Sequence, residues 1–454
     1  MEPEKSRAVG ISDIRVHVPA PAMDLAVLID QRVMHNPGLK RHLERACRVT
    51  GQQVIRFPEM WEDTATLAAS AVHGLIAANP SLDLRALRHL AVGTETGVDH
   101  SKPVSAYVQG MLQRAGVAIP STVSSYQVQH ACAGGTIALL SVAGMLAAGG
   151  RPGETGIVVS SDIARYDTAS TAEITQGAGA VALLVEAAPK LLEIELATTG
   201  LSSADVDDFF RPLGSTTARV NGSYSMRCYA ESLEGAFLDH CARAGETAER
   251  VLLDTDYFVL HTPFRNMPES AMEKLFERLL GYAPEKTRAL LAEKSFAAGT
   301  DPLARIGNLY AGSLTASLAF LLADRWRALG DGIVGRSILL ASYGSGNTMV
   351  VLRARVADGA PAVIRRWSLD RIFSAARPAR FEEYEAWTSG PVQAELHARL
   401  MENAVVPPGS FLLSGIRRDG YREYEFRKGE AGVRGVGEER ETPDDMHGSV
   451  AIPG

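Results

Sequence analysis

The residue in this sequence with the clearest capacity for covalent chemistry is Cys132. It lies in the stretch 129–136, where it follows a predicted strand and precedes a predicted helix rich in small residues. The N-terminus of a helix stabilises negative charge, so this position favours the thiolate over the thiol. Gly134 and Gly135 would let another backbone or a ligand come close. Composition alone equally allows Cys132 to be a small buried hydrophobic residue.

Three further polar residues stand at the ends of predicted elements and could serve a cysteine nucleophile. His261 follows a predicted strand and could exchange a proton, although a histidine there is more commonly a hydrogen-bonded structural residue. Glu95, between Gly93 and Gly97, could be an acid or base if apolar walls raise its pKa, whereas most loop glutamates are simply solvated. Asn308 precedes a second predicted buried helix, where it either caps the helix or hydrogen-bonds a substrate carbonyl.

The glycine-rich segments complete the set of candidate sites. The stretch SYGSGN (342–347) is either an ordinary hairpin turn or a loop that brings the backbone N–H of Ser345 to an oxyanion. The stretch 176–180 lacks the spacing of a dinucleotide-binding loop, and the sequence contains no P-loop motif. It contains no HExxH motif, and Asp205, Asp207 and Asp208 lack the spacing of a calcium loop, so we predict no metal site.

The composition is that of an ordinary globular protein. Of 454 residues, 46% are hydrophobic and 22% are charged, which argues against wholesale disorder and a fibrous repeat. With 46 Lys and Arg against 53 Asp and Glu, the net charge of −7 provides no electrostatic surface for a nucleic-acid backbone. The four cysteines argue against a disulfide scaffold and fit a reducing compartment, because they are widely spaced: Cys47, Cys132, Cys228 and Cys241.

The sequence gives no indication of export or membrane insertion. Residues 1–19 lack a basic flank followed by an apolar segment. The longest apolar runs, 136–148 and 314–323, fall short of the roughly 20 residues that span a bilayer, so we predict that both are buried helices. We therefore expect a cytoplasmic protein with neither a membrane nor a nucleic-acid partner.

These residues must be positioned by alternating strands and helices. Short β-branched or alternating runs give way to longer helical patterns, which predicts an α/β fold with mostly parallel strands. The predicted strands cover 11–18, 90–93, 123–128, 157–160, 181–185, 191–197, 257–260, 337–342 and 348–353. The predicted helices cover 62–78, 134–148, 231–241, 270–280 and 311–323. The order of elements, with two central apolar helices, indicates two related α/β halves.

The composition changes after residue 355. Arginines and aromatic residues predict a surface extension that ends near residue 427. The stretch 428–454 contains almost no large apolar residue, so we predict a disordered tail.

Set together, these segments resemble the 3-hydroxy-3-methylglutaryl-CoA synthase family, a branch of the thiolase-like condensing enzymes. GTETGVDHSK (93–102) is similar to that family's GTE[ST]G-x-D-x-SK segment, and HACAGGT (130–136) is similar to its nucleophile motif. The same order continues through SDIARY (161–166), TQGAGA (175–180), FFRP (209–212), VNGSYS (220–225), CY (228–229), HTPF (261–264), GN (307–308) and SYGSG (342–346). The resemblance covers residues 8–354, and the stretch from 411 to 424 is similar to the family's C-terminal strands.

The resemblance implies a five-layered αβαβα thiolase-like fold and a homodimer. Two halves, 1–188 and 189–427, would be related by a pseudo-two-fold axis, with 428–454 as the tail. The implied reaction is the condensation of acetyl-CoA with acetoacetyl-CoA to HMG-CoA in the mevalonate pathway. These acyl-CoA substrates would react without any further cofactor.

Carried over residue by residue, the resemblance makes Cys132 the acyl-accepting nucleophile and Glu95 the acid/base. His261, also counted as catalytic, and Asn308 would hold the acetoacetyl thioester and its ketone. The acyl pocket would be lined by Tyr166 and by the backbone at Gly344 and Ser345. Two positions depart from the family: Ala133 stands where Tyr is common, and Asn221 replaces a frequent Asp. Neither removes a reacting group, so they bear on the shape of the pocket more than on its chemistry.

Alternative functions remain open on the sequence alone. The nearest is a synthase for polyketide β-branching that acts on β-ketoacyl chains bound to an acyl carrier protein. A ketosynthase of the wider group would leave Glu95 unexplained, and a non-catalytic acyl-CoA-binding scaffold would not need the reacting residues. Arg265 and Lys102 are candidate CoA contacts because they lie near the motif segments, although each could equally be a solvated surface charge.

Overall fold

The computed structural model of this chain describes residues 8–389, 394–402 and 404–429. Within them the strands are Val9–His17 (β1), Pro21–Asp24 (β2), Val54–Arg56 (β3), Leu87–Gly93 (β4), Ser124–Val128 (β5), Thr155–Ala164 (β6), Gly177–Ala187 (β7), Leu192–Ile194 (β8), Gly200–Ser203 (β9), Phe209–Phe210 (β10), Arg219–Val220 (β11), Tyr257–Leu260 (β12), Ser337–Gly344 (β13), Thr348–Val356 (β14), Arg377–Pro378 (β15), Ser410–Ile416 (β16) and Arg422–Arg427 (β17). The α-helices are Leu25–His35 (α1), Lys40–Thr50 (α2), Thr64–Ala78 (α3), Val104–Arg114 (α4), Gly134–Gly149 (α5), Gly222–Ala244 (α6), Ala248–Asp254 (α7), Met267–Leu280 (α8), Pro284–Glu293 (α9), Ala297–Thr300 (α10), Ser313–Leu329 (α11), Ala360–Ile364 (α12), Arg371–Ser374 (α13), Phe381–Thr388 (α14) and Ala394–Met401 (α15).

The central element is a ten-stranded mixed sheet. Its strands follow the order β12-β13-β14-β8-β1-β7-β6-β4-β5, and β9 also pairs with β14. Among the described strands of this sheet, only β4–β5, β4–β6 and β12–β13 are parallel pairs, so the prediction of mostly parallel strands is wrong. The reason is local. β13 passes to β14 through residues 345–347, and β6 passes to β7 through a loop without an α-helix, so both pairs are antiparallel.

The two halves of the sheet repeat one arrangement. In the N-terminal half, β1 pairs with β7 and β7 with β6 in antiparallel fashion, while β6 and β4 are parallel. In the C-terminal half, β8, β14, β13 and β12 repeat this order and these directions. Helix α5 lies between β5 and β6 in the chain, and α11 lies between β12 and β13. The two related α/β halves are confirmed, whereas the boundary between residues 188 and 189 stays a prediction.

Side chains of the central strands alternate between two packing layers. On β7, Val181, Leu183 and Val185 pack toward the helices α5 and α11, whereas Ala182 and Leu184 pack toward α3 and α4. Alternate residues of β13 and β14 likewise pack toward α11 or toward α6 and α8. The two halves of the sheet therefore enclose α5 and α11, with further helices outside them. This arrangement confirms the predicted αβαβα layers.

Helix α5 is the most apolar of the long helices that pack against the sheet. By length and composition alone, the helical stretch Ala131–Gly149 could cross a membrane. In the fold it lies in the central layer, where Ala138, Val142 and Leu146 are buried. The prediction of a buried helix at this position is confirmed.

The extension after residue 355 is more than the surface feature that its composition predicted. Tyr384 of α14 is fully buried and packs on Phe57. The hairpin β16–β17 places Phe411 and Leu413 in the same cluster as α3 and α4. Aromatic side chains bury a large apolar area, so several of those in the extension turn inward. The predicted disordered tail lies outside the described residues, apart from positions 428 and 429.

Candidate active site

Cys132 lies in the turn between β5 and α5 and is only 8% exposed. The preceding residue, Ala131, has a φ of 42°, a conformation that is costly for residues other than glycine and that clusters at functional sites. Glycines allow the end of β4 to reach this turn, since a Cβ on Gly93 would lie 2.3 Å from the backbone nitrogen of Gly135. The loop after β4 is therefore held against the start of α5, a close approach of the kind predicted from the glycines at 134 and 135.

Glu95 lies in this loop and contacts both the thiol and a guanidinium. The Sγ of Cys132 lies 3.4 Å from Oε1 of Glu95. Arg211 donates to Oε2 of Glu95 at 3.1 Å and to its backbone oxygen at 2.8 Å. Both side chains of this ion pair are largely buried, so water screens their attraction only weakly.

The buried carboxylate of Asp162, on β6, fixes the loop that carries Glu95. Its Oδ1 accepts hydrogen bonds from the backbone N–H groups of Glu95 and Thr96, at 3.0 and 3.1 Å. The same oxygen accepts from the hydroxyls of Thr94 and Thr96, at 2.8 and 2.7 Å. Its Oδ2 accepts from the backbone N–H of Ala311 at 3.1 Å. Asp162 thus connects the acid/base loop to the chain just before the second central helix, α11.

Burial dominates the electrostatics of the thiol and its neighbours. Burial raises the pKa of Glu95, the nearby charge of Asp162 raises it further, and Arg211 lowers it. Burial also raises the pKa of the Cys132 thiol well above its ordinary value, as does the charge of Glu95. The lowered thiol pKa expected from the helix N-terminus is therefore wrong, because desolvation and the carboxylates outweigh the helix dipole. The pKa of Glu95 is raised to about 8, so at rest Cys132 is a neutral thiol beside a carboxyl group whose ionised form can accept a proton.

His261 directly follows β12, as predicted, and is almost fully buried. Its backbone oxygen accepts a hydrogen bond from the hydroxyl of Tyr229 at 2.9 Å, and burial raises the pKa of that hydroxyl, so it stays neutral. Burial lowers the pKa of the His261 imidazole to about 3, so the ring is neutral near pH 7. Its Nδ1 is buried and has no hydrogen-bond partner among the described residues, which leaves it available to a substrate.

Aromatic side chains form one wall beside the thiol. Tyr166, Phe209 and Tyr310 share a buried cluster with Cys132, and their rings meet edge to face. Burial raises the pKa of both tyrosines, so both hydroxyls stay neutral. Tyr310 has a φ of 43°, and its buried hydroxyl has no partner within the described part of the chain. The fold thus brings Tyr166 to the nucleophile, while its part in acyl binding stays a prediction.

Asn308 lies just before α11 and borders the same wall. Its Oδ1 accepts from the backbone N–H of Tyr310 at 2.8 Å and from the hydroxyl of Ser313 at 3.1 Å. The predicted cap of the helix is therefore wrong, since the N-cap position of α11 is Gly312, without a side-chain cap, and Asn308 instead fixes a local turn at Tyr310. A Cβ on Gly177 would lie 2.6 Å from the backbone nitrogen of Asn308, so the start of β7 also approaches it closely. Contact of its side chain with a substrate carbonyl stays a prediction.

The turn between β13 and β14 packs on the nucleophile turn. A Cβ on Gly344 would lie 2.6 Å from the backbone oxygen of His130, so only glycine permits this approach. The buried Asp208 accepts a hydrogen bond from the backbone N–H of Gly346 at 2.9 Å and fixes the turn. Ser345 lies in the same turn, and the use of its N–H as an oxyanion donor stays a prediction.

The two predicted CoA contacts, Arg265 and Lys102, are held by other parts of the fold. Arg265 forms ion pairs with Asp301 at 2.8 Å and with Glu269 at 3.2 Å. Lys102 donates to the hydroxyl of Tyr421 at 2.6 Å. Neither is therefore a simple solvated charge, and binding of CoA by either one stays a prediction.

Three residues that contact the reacting pair received no role from the sequence. Arg211 and Asp162 lie inside segments that the sequence singled out, namely 209–212 and 161–166, and Tyr310 lies two residues after the segment 307–308. The sequence signal that could have identified these residues is a charged or aromatic side chain in or next to a motif segment. Only the folded chain shows which of these side chains reach the thiol and Glu95.

A separate cavity of about 840 Å³ lies on the other face of β6. Ala164 of β6 packs in the cluster that contains Cys132, whereas Ile163 and Arg165 line this cavity. Arg211 lines the cavity and also contacts Glu95, and Thr96 lines it as well, so the cavity borders the loop that carries Glu95.

Comparison with known sequences identifies a family to which this chain is similar. Residues 5–190 match the model of a family described as "Hydroxymethylglutaryl-coenzyme A synthase N terminal". The hydroxymethylglutaryl-CoA synthase of Enterococcus faecalis is 30% identical over 340 residues, which cover 74% of this chain and 80% of that protein.

Solved structures give the same result. A structure described as "MvaS in complex with 3-hydroxy-3-methylglutaryl coenzyme A" has a TM-score of 0.78 at 34% identity and covers 92% of this chain and 99% of its own. The curacin biosynthetic pathway HMG synthase, in complex with holo donor-ACP, has a TM-score of 0.78 at 23% identity over 92% of this chain and 100% of its own, a likeness of fold. From its sequence, its fold and the pairing of Cys132 with Glu95, this chain belongs to the hydroxymethylglutaryl-CoA synthase family.

Proposed function

We propose that this enzyme condenses acetyl-CoA with acetoacetyl-CoA through an acetyl-Cys132 intermediate, giving HMG-CoA and free CoA. The observation that carries the proposal is the 3.4 Å contact between the Sγ of Cys132 and Glu95, beside a wall formed by Tyr166 and Tyr310. A nucleophile and a proton-transfer group are then within reach of one small acyl group.

The first step is the transfer of the acetyl group from CoA to Cys132. The thiol is neutral at rest, so its proton must leave as the sulfur attacks the thioester carbonyl, and Glu95 is in position to accept it. The CoA sulfur departs and takes up that proton, which returns Glu95 to a carboxylate. The acetyl thioester on Cys132 has methyl hydrogens that are more acidic than those of an ester.

The second step forms the carbon–carbon bond. Glu95 removes a methyl proton, and the backbone N–H groups of Cys132 and Ser345 stabilise the enolate oxygen. The enolate carbon attacks the ketone of the acetoacetyl thioester, which His261 and Asn308 hold. Glu95, which now carries the proton taken from the methyl group, gives it to the new alkoxide, and water then hydrolyses the enzyme thioester. A neutral His261 can serve as a hydrogen-bond donor throughout this sequence.

The acceptor that we propose is the CoA ester, which gives the enzyme a place in the mevalonate pathway. The support is that two matches of 30% identity or more are a hydroxymethylglutaryl-CoA synthase and a structure described as in complex with HMG-CoA. The second candidate is condensation on a carrier protein, which the shared fold of the curacin synthase with its holo donor-ACP favours. A non-catalytic scaffold is disfavoured because Cys132, Glu95 and His261 are all retained.

We further propose a cytoplasmic homodimer that needs no cofactor. Among the described strands, β5 pairs only with β4, and a sheet edge of this kind can pair with a second copy. The four cysteines are free, which fits a reducing compartment. Within the described residues no group of three His, Cys, Asp or Glu side chains could hold a metal ion.

The deciding experiment supplies the pure protein with acetyl-CoA and either acetoacetyl-CoA or an acetoacetyl carrier protein, and identifies the product by mass. HMG-CoA in the first reaction is the expected result. Product only on the carrier protein would support the second candidate. Failure of Cys132 to become acetylated, with no product in either reaction, would contradict both.

A further inference from the structure

A chain of buried hydrogen bonds connects the pocket wall to helix α14. The Oε1 of Gln176 accepts a hydrogen bond from the backbone N–H of Tyr166 at 2.7 Å. The Nε2 of Gln176 donates to the hydroxyl of Tyr384 at 2.6 Å, and this hydroxyl donates to Glu173 at 3.1 Å. Gln176, Tyr384 and Glu173 are all fully buried. The chain therefore holds the segment between β6 and β7 without help from solvent.

The outer end of this chain is anchored on α1. Arg32 donates to the two oxygens of Glu173 at 2.7 and 3.2 Å, and it also pairs with Glu385 of α14. Glu173 accepts a further hydrogen bond from the backbone N–H of Ala169 at 2.7 Å. Charge-assisted hydrogen bonds of this kind are strong when they are buried, so α1 and α14 together fix the segment.

The same segment also shapes the chain at Asn308. The backbone oxygen of Thr175 accepts a hydrogen bond from the N–H of Asn308 at 3.1 Å. Gly307 has a φ of 100°, and a Cβ there would lie 1.9 Å from the backbone oxygen of Gln176. A shift of Gln176 would therefore displace both Asn308 and Tyr166.

We propose that Tyr384 is a positioning residue, which holds the acceptor side of the pocket in place for condensation. The inference rests on the proposed function, because that function assigns Asn308 to the acceptor and Tyr166 to the acyl pocket. Cys132 and Glu95 are held separately, by the start of α5 and by the carboxylate of Asp162 on β6. Loss of the Tyr384 hydroxyl therefore acts on the acceptor through Asn308, while Cys132 and Glu95 stay in place and the Tyr166 ring keeps its packing in the cluster of Cys132.

The test measures the two half-reactions separately in Tyr384→Phe. This substitution removes one oxygen and keeps the ring that packs on Phe57. Acetylation of Cys132 by labelled acetyl-CoA should stay within about twofold of the unchanged protein. Condensation from the preformed acetyl-enzyme should fall by about tenfold or more, with a higher KM for acetoacetyl-CoA, because two buried hydrogen bonds are lost. A purely structural role would lower both half-reactions by one common factor.

A matched control is Tyr424→Phe. Its hydroxyl is also buried and donates to a carboxylate, that of Asp63 at 2.7 Å, which is not part of the segment between β6 and β7. This control should leave both half-reactions unchanged, while Gln176→Ala should reproduce the selective loss of condensation. Unchanged condensation in Tyr384→Phe, or an equal loss in both half-reactions, would overturn the proposal. No condensation by the unchanged protein would instead contradict the proposed function itself.

Discussion

At the scale of single residues, the chemistry depends on a neutral thiol that faces a buried carboxylate. Cys132 lies 3.4 Å from Glu95, and the charge of that carboxylate opposes ionisation of the sulfur. The thiol can therefore react only if its proton has somewhere to go. In this arrangement the protonation of Cys132 depends on that of Glu95, so the two residues act as a unit in the proposed reaction.

Separate replacement of the two residues distinguishes their roles. Cys132→Ala should lose all incorporation of label from acetyl-CoA. Glu95→Ala should still be acetylated, although more slowly, because loss of the negative charge lowers the pKa of the thiol and its proton can pass to water; nothing replaces Glu95 as the base for the methyl proton. Its condensation should fall by about 10²- to 10⁴-fold. Acid-stable label on the Cys132→Ala protein would contradict the role of Cys132 as nucleophile. Full condensation by Glu95→Ala would contradict the role of Glu95 as base.

Arg211 provides a prediction of pH dependence. Its charge lowers the pKa of Glu95, so Arg211→Gln should raise that pKa further and leave less ionised carboxylate at neutral pH. Condensation should then be slower near pH 7 and recover at higher pH, with the acid limb of the pH–rate profile displaced upward by about one unit or more. The measurement is the pH–rate profile of condensation for the original protein and for Arg211→Gln. A rate reduced by the same factor at every pH would mean that Arg211 acts through geometry alone.

At the scale of elements, the site depends on close backbone contacts between strand ends and helix starts. Gly93→Ala places a methyl group 2.3 Å from the nitrogen of Gly135, so β4 or α5 must shift. We expect a loss of about 1–3 kcal/mol in the free energy of unfolding, together with a loss of acetylation at Cys132. Denaturant unfolding and the labelling assay measure the two effects.

The matched control lies on α5, the helix that Gly93 approaches. A Cβ on Gly144 of α5 meets nothing within 4 Å, so Gly144→Ala should stabilise the protein by about 0.5–1 kcal/mol and retain activity. If Gly93→Ala behaved like this control, the close approach of β4 to α5 would not be what positions the loop of Glu95.

The sequence predicted those strands and helices whose hydrophobic pattern is contained within the element itself. The strand at 257–260 and the helix beginning at 134 occur where predicted, because each combines a continuous apolar run with a clear boundary. The sequence did not predict which strand pairs are antiparallel. A connection that crosses the sheet makes two strands parallel, and one that turns back makes them antiparallel. The sequences of β6 and β7 do not show which of these the loop between them does.

At the scale of the whole molecule, the prediction concerns assembly. Strand β5 is an edge of the central sheet among the described strands, and half-buried apolar residues such as Tyr126 and Val128 lie on it. We expect a homodimer with about twice the 48.6 kDa mass of the chain, to be checked by light scattering or native mass spectrometry. A monomeric mass over the range of concentrations in which the enzyme is active would contradict this.

The sequence by itself determined the α/β class, the two central helices and the candidates for the reacting residues, since motifs place Cys132, Glu95 and His261 after the ends of strands. Only the tertiary structure decided that Arg211 pairs with Glu95, 116 residues away, and that Tyr384 contacts Gln176 across 208 residues. The reason is that strand and helix patterns are local, whereas ion pairs, shared hydrogen bonds and desolvation depend on distances that only folding sets. The raised pKa of the thiol belongs to this second group.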